Sequence, residues 1–164
     1  MEFDHRPGTK KKFGVCQITW HGRSLKSVQE EIDKCDVVCV MCHRLRTESR
    51  YPRVSGELSK TTKACRRLLK RVDDIKANTP CAGCGGKFHP RQMDFDHVDP
   101  TQKTENISEL RRRRASWAEI RAEIDKCRVV CAACHKLHTA GIINLDTIKN
   151  IVLEHYTAFP TARI

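Results

Sequence analysis

The phrase EIDKCDVVCVMCH at residues 31–43 returns as EIDKCRVVCAACH at 123–135, an offset of 92. The same offset lays MEFDH (1–5) on MDFDH (93–97), Lys11 on Lys103, Ser24 on Ser116 and Thr47 on Thr139 without a gap. A chain of 164 residues carrying such a repeat is constrained to two copies of one small unit, of about 50 to 80 residues each. Units of that size bury little apolar surface. With 5% aromatic and 31% charged residues, neither copy is expected to assemble a large core, so a metal or another staple is expected.

The ten cysteines are the source of that staple. Cys81-x-x-Cys84 and Cys131-x-x-Cys134 supply two knuckles of two thiolates, the donor set of tetrahedral zinc, with sulfurs about 2.3 Å from the ion. All four positions would be filled by protein, which makes the site structural and couples metal binding to folding. The 46 residues between the knuckles mean that zinc ties the ends of a module rather than a single turn. C-x-x-C pairs of this kind point to a reducing compartment. The N-terminal residues have no apolar signal stretch and no window reaches the apolar length of a membrane span, so the expected location is the cytoplasm. Cys35, Cys65 and Cys127 sit in apolar contexts and read as small core residues, whereas Cys16 has no partner in the pattern.

Thirty-one Lys and Arg against twenty Asp and Glu give a formal charge of +11, clustered at 10–12, 66–71 and 111–114. A polyanion is the simplest partner. Nucleic acid is favoured over membrane because no lipid-facing apolar stripe accompanies the basic runs.

Residues 59–76 place Cys65, Leu68, Leu69, Val72 and Ile75 at helical spacing, with Asn78 and Pro80 ending the helix. Residues 91–97 alternate as a short strand. Residues 116–126 form a helix with Ser116 as N-cap, Glu119 completing a capping box, and Trp117, Ile120 and Ile124 facing inward. A strand is expected at 127–130, a helix at 135–140 stopped by Gly141, and an amphipathic helix at 145–156.

The run of Cys81-x-x-Cys84, Phe95-Asp96-His97, Asp99-Pro-x-x-Lys103 and Cys131-x-x-Cys134-His135 resembles the HNH endonucleases of the ββα-metal class, in a form common among phage and bacterial proteins. The resemblance covers about residues 58–140, with a partial second instance over 1–50. It implies an α+β fold: a small zinc-stabilised ββα-metal (His-Me finger) module with added helices, plus a partial N-terminal repeat of it. The corresponding division is 1–50 for a truncated, inactive repeat, 51–57 for a linker, 58–140 for the nuclease module with its four-cysteine zinc, and 141–164 for a C-terminal helix and tail.

By position, the resemblance assigns His97 as general base and gives Asp96 and His135 a catalytic divalent ion, Mg²⁺ or Mn²⁺, for hydrolysis of DNA phosphodiester bonds. In a regular strand Asp96 and His97 leave opposite faces, so they can share a site only where the strand ends or bends. The family's asparagine is replaced by Lys126 at its usual place, and Asn106 is the nearest substitute as a brace for the loop. His138 stands where the family often has lysine, on the same helix face as His135. Arg111, Arg112, Arg113 and Arg114, with Lys136 and His138, are the candidate nucleic-acid contacts.

The first copy keeps Asp4, His5, His43, Cys39 and Cys42. It is expected to lack a first knuckle, and its strand is expected to have little body. The alternative reading of the whole chain is a zinc-stabilised nucleic-acid-binding protein without catalysis.

Overall fold

The computed structural model describes residues 1–15, 22–52 and 60–146. Cys16, residues 53–57 of the expected linker and the expected C-terminal helix from 147 onward lie outside the described residues. The elements run β1 (Glu2–His5), α1 (Leu25–Ile32), β2 (Cys35–Val38), α2 (Val40–Arg50), α3 (Lys60–Asn78), β3 (Met93–His97), α4 (Ile107–Arg112), α5 (Trp117–Ile124), β4 (Cys127–Cys131) and α6 (Ala132–Thr139), with single 3₁₀ turns at Pro90–Gln92 and Pro100–Gln102. Among the described residues this is an α+β architecture with two separate two-stranded antiparallel sheets, β1–β2 and β3–β4.

The repeat survives in three dimensions. Glu2 pairs with Val38 and His5 with Cys35 in the first sheet; Asp94 pairs with Val130 and His97 with Cys127 in the second. The registers coincide at the 92-residue offset. The first strand therefore has more body than expected: all four residues of β1 are paired.

Two apolar clusters form the centre, and both belong mainly to the second repeat. Met93, Val129, Val130 and Leu145 surround the buried cysteines; Val72, Leu110, Ala115, Ile120 and Ile124 form the other cluster. Helix α3 presents Val72 and Leu68 to the second cluster, and Ile75 touches both, as its 3.6-residue periodicity requires. Complete burial of Met93, Ile120 and Val130 contributes roughly 1.5 to 3 kcal/mol apiece. The first repeat buries Phe13, Val28, Cys35 and Val38 and sends Met41 onto the cluster of the second.

The two repeats meet reciprocally. Arg44 of the first makes a two-pronged pair with Asp94, Nη1 to Oδ1 at 2.7 Å and Nη2 to Oδ2 at 2.9 Å. Lys136, which occupies the position of Arg44 in the second repeat, donates to Glu2 Oε1 at 2.6 Å, and Glu2 occupies the position of Asp94. Such an exchange of equivalent contacts is the mark of an isologous interface, here within one chain.

Candidate metal centre and histidine cleft

The zinc-type site starts from local turn geometry. Cys131 caps α6, its sulfur accepting from Cys134 N at 3.4 Å, so the helix begins at Ala132, inside the knuckle, rather than at 135 as the sequence suggested. In the other knuckle Gly85 N donates to Cys81 O at 2.8 Å and Cys81 N to Gly86 O at 2.9 Å. Gly85 stands at φ +71°, a conformation glycine adopts without strain. A Cβ on Gly83 would lie 3.0 Å from Cys134 Sγ and 2.8 Å from Leu145, so the two knuckles approach as closely as a bare backbone permits. Ala82 N donates to Val129 O at 2.8 Å and Cys131 N to Cys81 Sγ at 3.1 Å, which joins the first knuckle to β4.

The sulfurs of Cys81, Cys84, Cys131 and Cys134 consequently lie within 4.8 Å of one another. The Cys84–Cys131 separation is 3.9 Å, close to the tetrahedral edge of about 3.8 Å that follows from a 2.3 Å zinc–sulfur bond. These four cysteines can hold a metal ion such as zinc. Donation from Cys131, Cys134 and Cys84 pulls the Cys81 thiol well below its ordinary value. Cys131 and Cys134 likewise bring Cys84 to about 7, against the opposing effects of Cys81 and of burial. Cys134 is pushed up, first by Cys131. So crowded a cluster cannot ionise at every sulfur without a cation. In the first repeat Cys42 N donates to Cys39 Sγ at 3.3 Å, the same capped turn, and no further cysteines join that pair in a metal-type group among the described residues. Cys35 is buried and hydrogen-bonded to Glu31 O; Cys127 and Cys65 are only half-buried. Burial pushes the Cys127 thiol up to about 11, suiting an inert thiol.

The second cluster lies where β3, β4 and α6 converge. Asp94 and Asp96 leave one face of β3, and His97 the other, by the strand's alternation. Asp94 Oδ2 is 3.0 Å from His135 Nδ1. Asp96 Oδ1 faces His135 Nε2 at 3.6 Å, while its Oδ2 accepts from Arg128 Nε at 2.9 Å. Burial alone would raise the Asp94 carboxyl, but His135 and Arg44 outweigh it and hold the group well below the usual carboxylate range. The same bond raises His135, burial opposing.

His97 turns to Glu123, with Nε2 at 2.8 Å from Oε1. Glu123 is 2% exposed and also accepts from Lys126 Nζ at 2.7 Å, Thr104 N at 2.9 Å and the Thr104 hydroxyl. Burial pushes its carboxyl up; these donors prevail and hold it well below its ordinary 4.5. A buried carboxylate of this kind accepts a hydrogen bond from Nε2–H, which favours the tautomer that leaves Nδ1 as an acceptor.

Although they leave opposite faces, Asp96 and His97 line one cleft of about 670 Å³, together with Lys103, Asn106, Arg111 and His135. They share it because β3 ends at His97: Val98 N still donates to Lys126 O, and Asp99 then caps the 3₁₀ turn at Pro100. An adjoining cleft of about 740 Å³ runs past His135 to His43, Arg44 and Lys136, between the repeats.

The remaining candidates are distributed unevenly. Asn106 is the N-cap of α4 without a side-chain cap bond, so it borders the cleft rather than bracing the loop by a cap. Lys126, at the family's asparagine position, spans Glu123, Gln102 O and Thr104. Arg111 lines both clefts. Arg112 is tied to Glu109, and Arg113 to Glu105 and Glu119. Arg114 takes φ +61° beyond the end of α4. His138 is held by Arg128 at 3.0 Å and Ile143 O at 3.2 Å, with Asp96 at 4.0 Å, and Lys136 by Glu2.

Sequence reasoning missed Glu123, Asp94 and Arg44 as parts of this arrangement. The signal for the first was present, since a glutamate opens both copies of EIDKC. Among the described residues no helix is long and apolar enough to cross a membrane. Comparison with family models, with curated proteins and with solved structures gave no match.

Proposed function

We propose that this chain is a metal-dependent endonuclease of the HNH kind that hydrolyses DNA phosphodiester bonds, with its working centre in the second repeat. One observation carries the reading: Asp96, His97 and His135 line a single cleft, and each histidine is oriented by a carboxylate through its other nitrogen. The divalent ion the class requires fits the free donors. Asp96 Oδ1 and His135 Nε2, which face each other at 3.6 Å, would offer it a carboxylate oxygen and an imidazole nitrogen. Asp94 on His135 Nδ1 supplies the carboxylate–histidine pairing that fixes a ligand's tautomer. When bound, Mg²⁺ or Mn²⁺ supplies charge stabilisation at the phosphate and the departing oxygen.

His97 Nδ1 takes the proton of the attacking water, and Glu123 steadies the imidazolium that results. Arg111 and Lys103, on the wall of the same cleft, meet phosphate oxygens. The +11 charge of the chain favours a polyanion and makes binding fall steeply with salt. The four-cysteine zinc only fixes the scaffold.

Arg128 on Asp96 favours a second reading, a zinc-stabilised DNA-binding protein without catalysis, because a guanidinium already neutralises half of the ligand carboxylate. Incubating the zinc-loaded chain with supercoiled plasmid and Mg²⁺ or Mn²⁺ separates the two. Relaxation of the plasmid supports hydrolysis, binding without relaxation supports the second reading, and neither binding nor relaxation contradicts both.

A further inference from the structure

The first repeat rebuilds the histidine cluster almost atom for atom. His43 Nδ1 is 2.8 Å from Glu2 Oε2 and Nε2 is 3.5 Å from Asp4 Oδ1, against 3.0 and 3.6 Å for the corresponding pairs of His135. His5 Nε2 meets the fully buried Glu31 at 2.8 Å, and Lys12 N and Lys34 Nζ donate to the same carboxylate at 2.8 and 2.6 Å. The strand, the helix and the buried partner of the base position are all present.

What differs is the carboxylate that an ion would need. Asp4 is 3% exposed and both of its oxygens are taken by guanidinium groups. Arg50 Nη1 donates to Oδ1 at 2.7 Å, the oxygen that faces His43, and Arg46 Nη1 to Oδ2 at 3.3 Å. Arg50 is pinned further by His5 O at 3.2 Å. It follows His43 by seven residues on α2, two helical turns along the same face. At the repeat offset Arg50 falls on Ile142 and Arg46 on His138. The second repeat thus has an apolar side chain and an imidazole at those two positions; its own guanidinium, Arg128, sits on Asp96 Oδ2 and not on the Oδ1 that faces His135. Arginine does not lose its proton at any working pH, so a divalent ion approaching Asp4 would face a fixed like charge on its own ligand atom. The residues of the first repeat do not fit the ion.

We propose that the first repeat is a metal-free counterpart of the second, in which Arg50, with Arg46, stands in for the divalent ion. The chain then carries one ion-dependent centre and one whose positive charge is built into the protein. Only the count of one ion rests on the function proposed above; the replacement by arginine does not.

The test is a Mn²⁺ titration of the full, zinc-loaded chain, with free Mn²⁺ counted by electron paramagnetic resonance. The parent is expected to take up one Mn²⁺ per chain. Arg50→Ile, and the double change Arg46→His with Arg50→Ile that copies the second repeat, are expected to raise this to two and to lift Tm when Mn²⁺ is added. Two equivalent Mn²⁺ on the parent overturns the proposal, as does a variant with parental zinc content and circular dichroism that gains none. A parent that binds no Mn²⁺ while Arg50→Ile binds one would sink the ion-dependent function and uphold the replacement.

Discussion

Glu123 is the residue on which the candidate site turns, and only its recurrence at the head of both EIDKC copies sets it apart from the other glutamates of the chain. It is 2% exposed and collects His97, Lys126 and both donors of Thr104. Removing it leaves those donors facing a gap, so Glu123→Ala is expected to cost about 3 to 5 kcal/mol of stability. Glu123→Gln keeps the shape and loses the charge. It is expected to leave the chain folded and to lower plasmid cleavage about 10- to 100-fold, as loss of an orienting partner does. The folded-state pKa of Glu123 lies below its ordinary 4.5, so the unfolded chain takes up the proton first as pH falls. Its contribution is complete above about pH 4.5 and fades below it. The Tm gap between the parent and Glu123→Gln, measured by circular dichroism, should therefore narrow as pH is lowered through that range; a gap that widens would contradict the role.

Among elements, those governed by local rules were legible in the sequence. The apolar period marked α3 and α5, and Ser116 with Glu119 forms the capping box its spacing suggested. The knuckle spacing likewise led to the four clustered sulfurs. Boundaries set by side-chain capping were less legible: His89 caps the turn at Pro90–Gln92, which delays β3 to Met93, and Cys131 starts α6 three residues early. Asp94 and Glu123 escaped because their partners lie 41 and 26 residues away, beyond any local pattern. The elements of the second repeat close on the cysteine cluster, so a metal held there should tie them together. Chelation of zinc from the folded chain, or Cys84→Ser, is expected to collapse the helical circular dichroism of the second repeat and release one zinc per chain; unchanged spectra after complete zinc loss would refute a structural metal.

Across the whole molecule the repeats are tied through equivalent residues, Arg44 to Asp94 and Lys136 to Glu2. Sequence comparison found the repeat but could not show that the copies face each other. The consequence is that a residue of the first repeat steadies the second: Arg44 holds Asp94, and Asp94 holds His135. Arg44→Ala is expected to weaken Mn²⁺ uptake about tenfold, and in a double-mutant cycle with Asp94→Asn the two effects should fall short of adding. Full additivity in the Mn²⁺ titration would mean that the tie does not reach the site. The central claim, that His97 is the base of a DNA-hydrolysing centre, is tested most directly by the rate at which zinc-loaded His97→Ala relaxes supercoiled plasmid in Mn²⁺. The account predicts a loss of about 10²- to 10⁴-fold with DNA binding and zinc content unchanged; a variant that cuts as fast as the parent would contradict it.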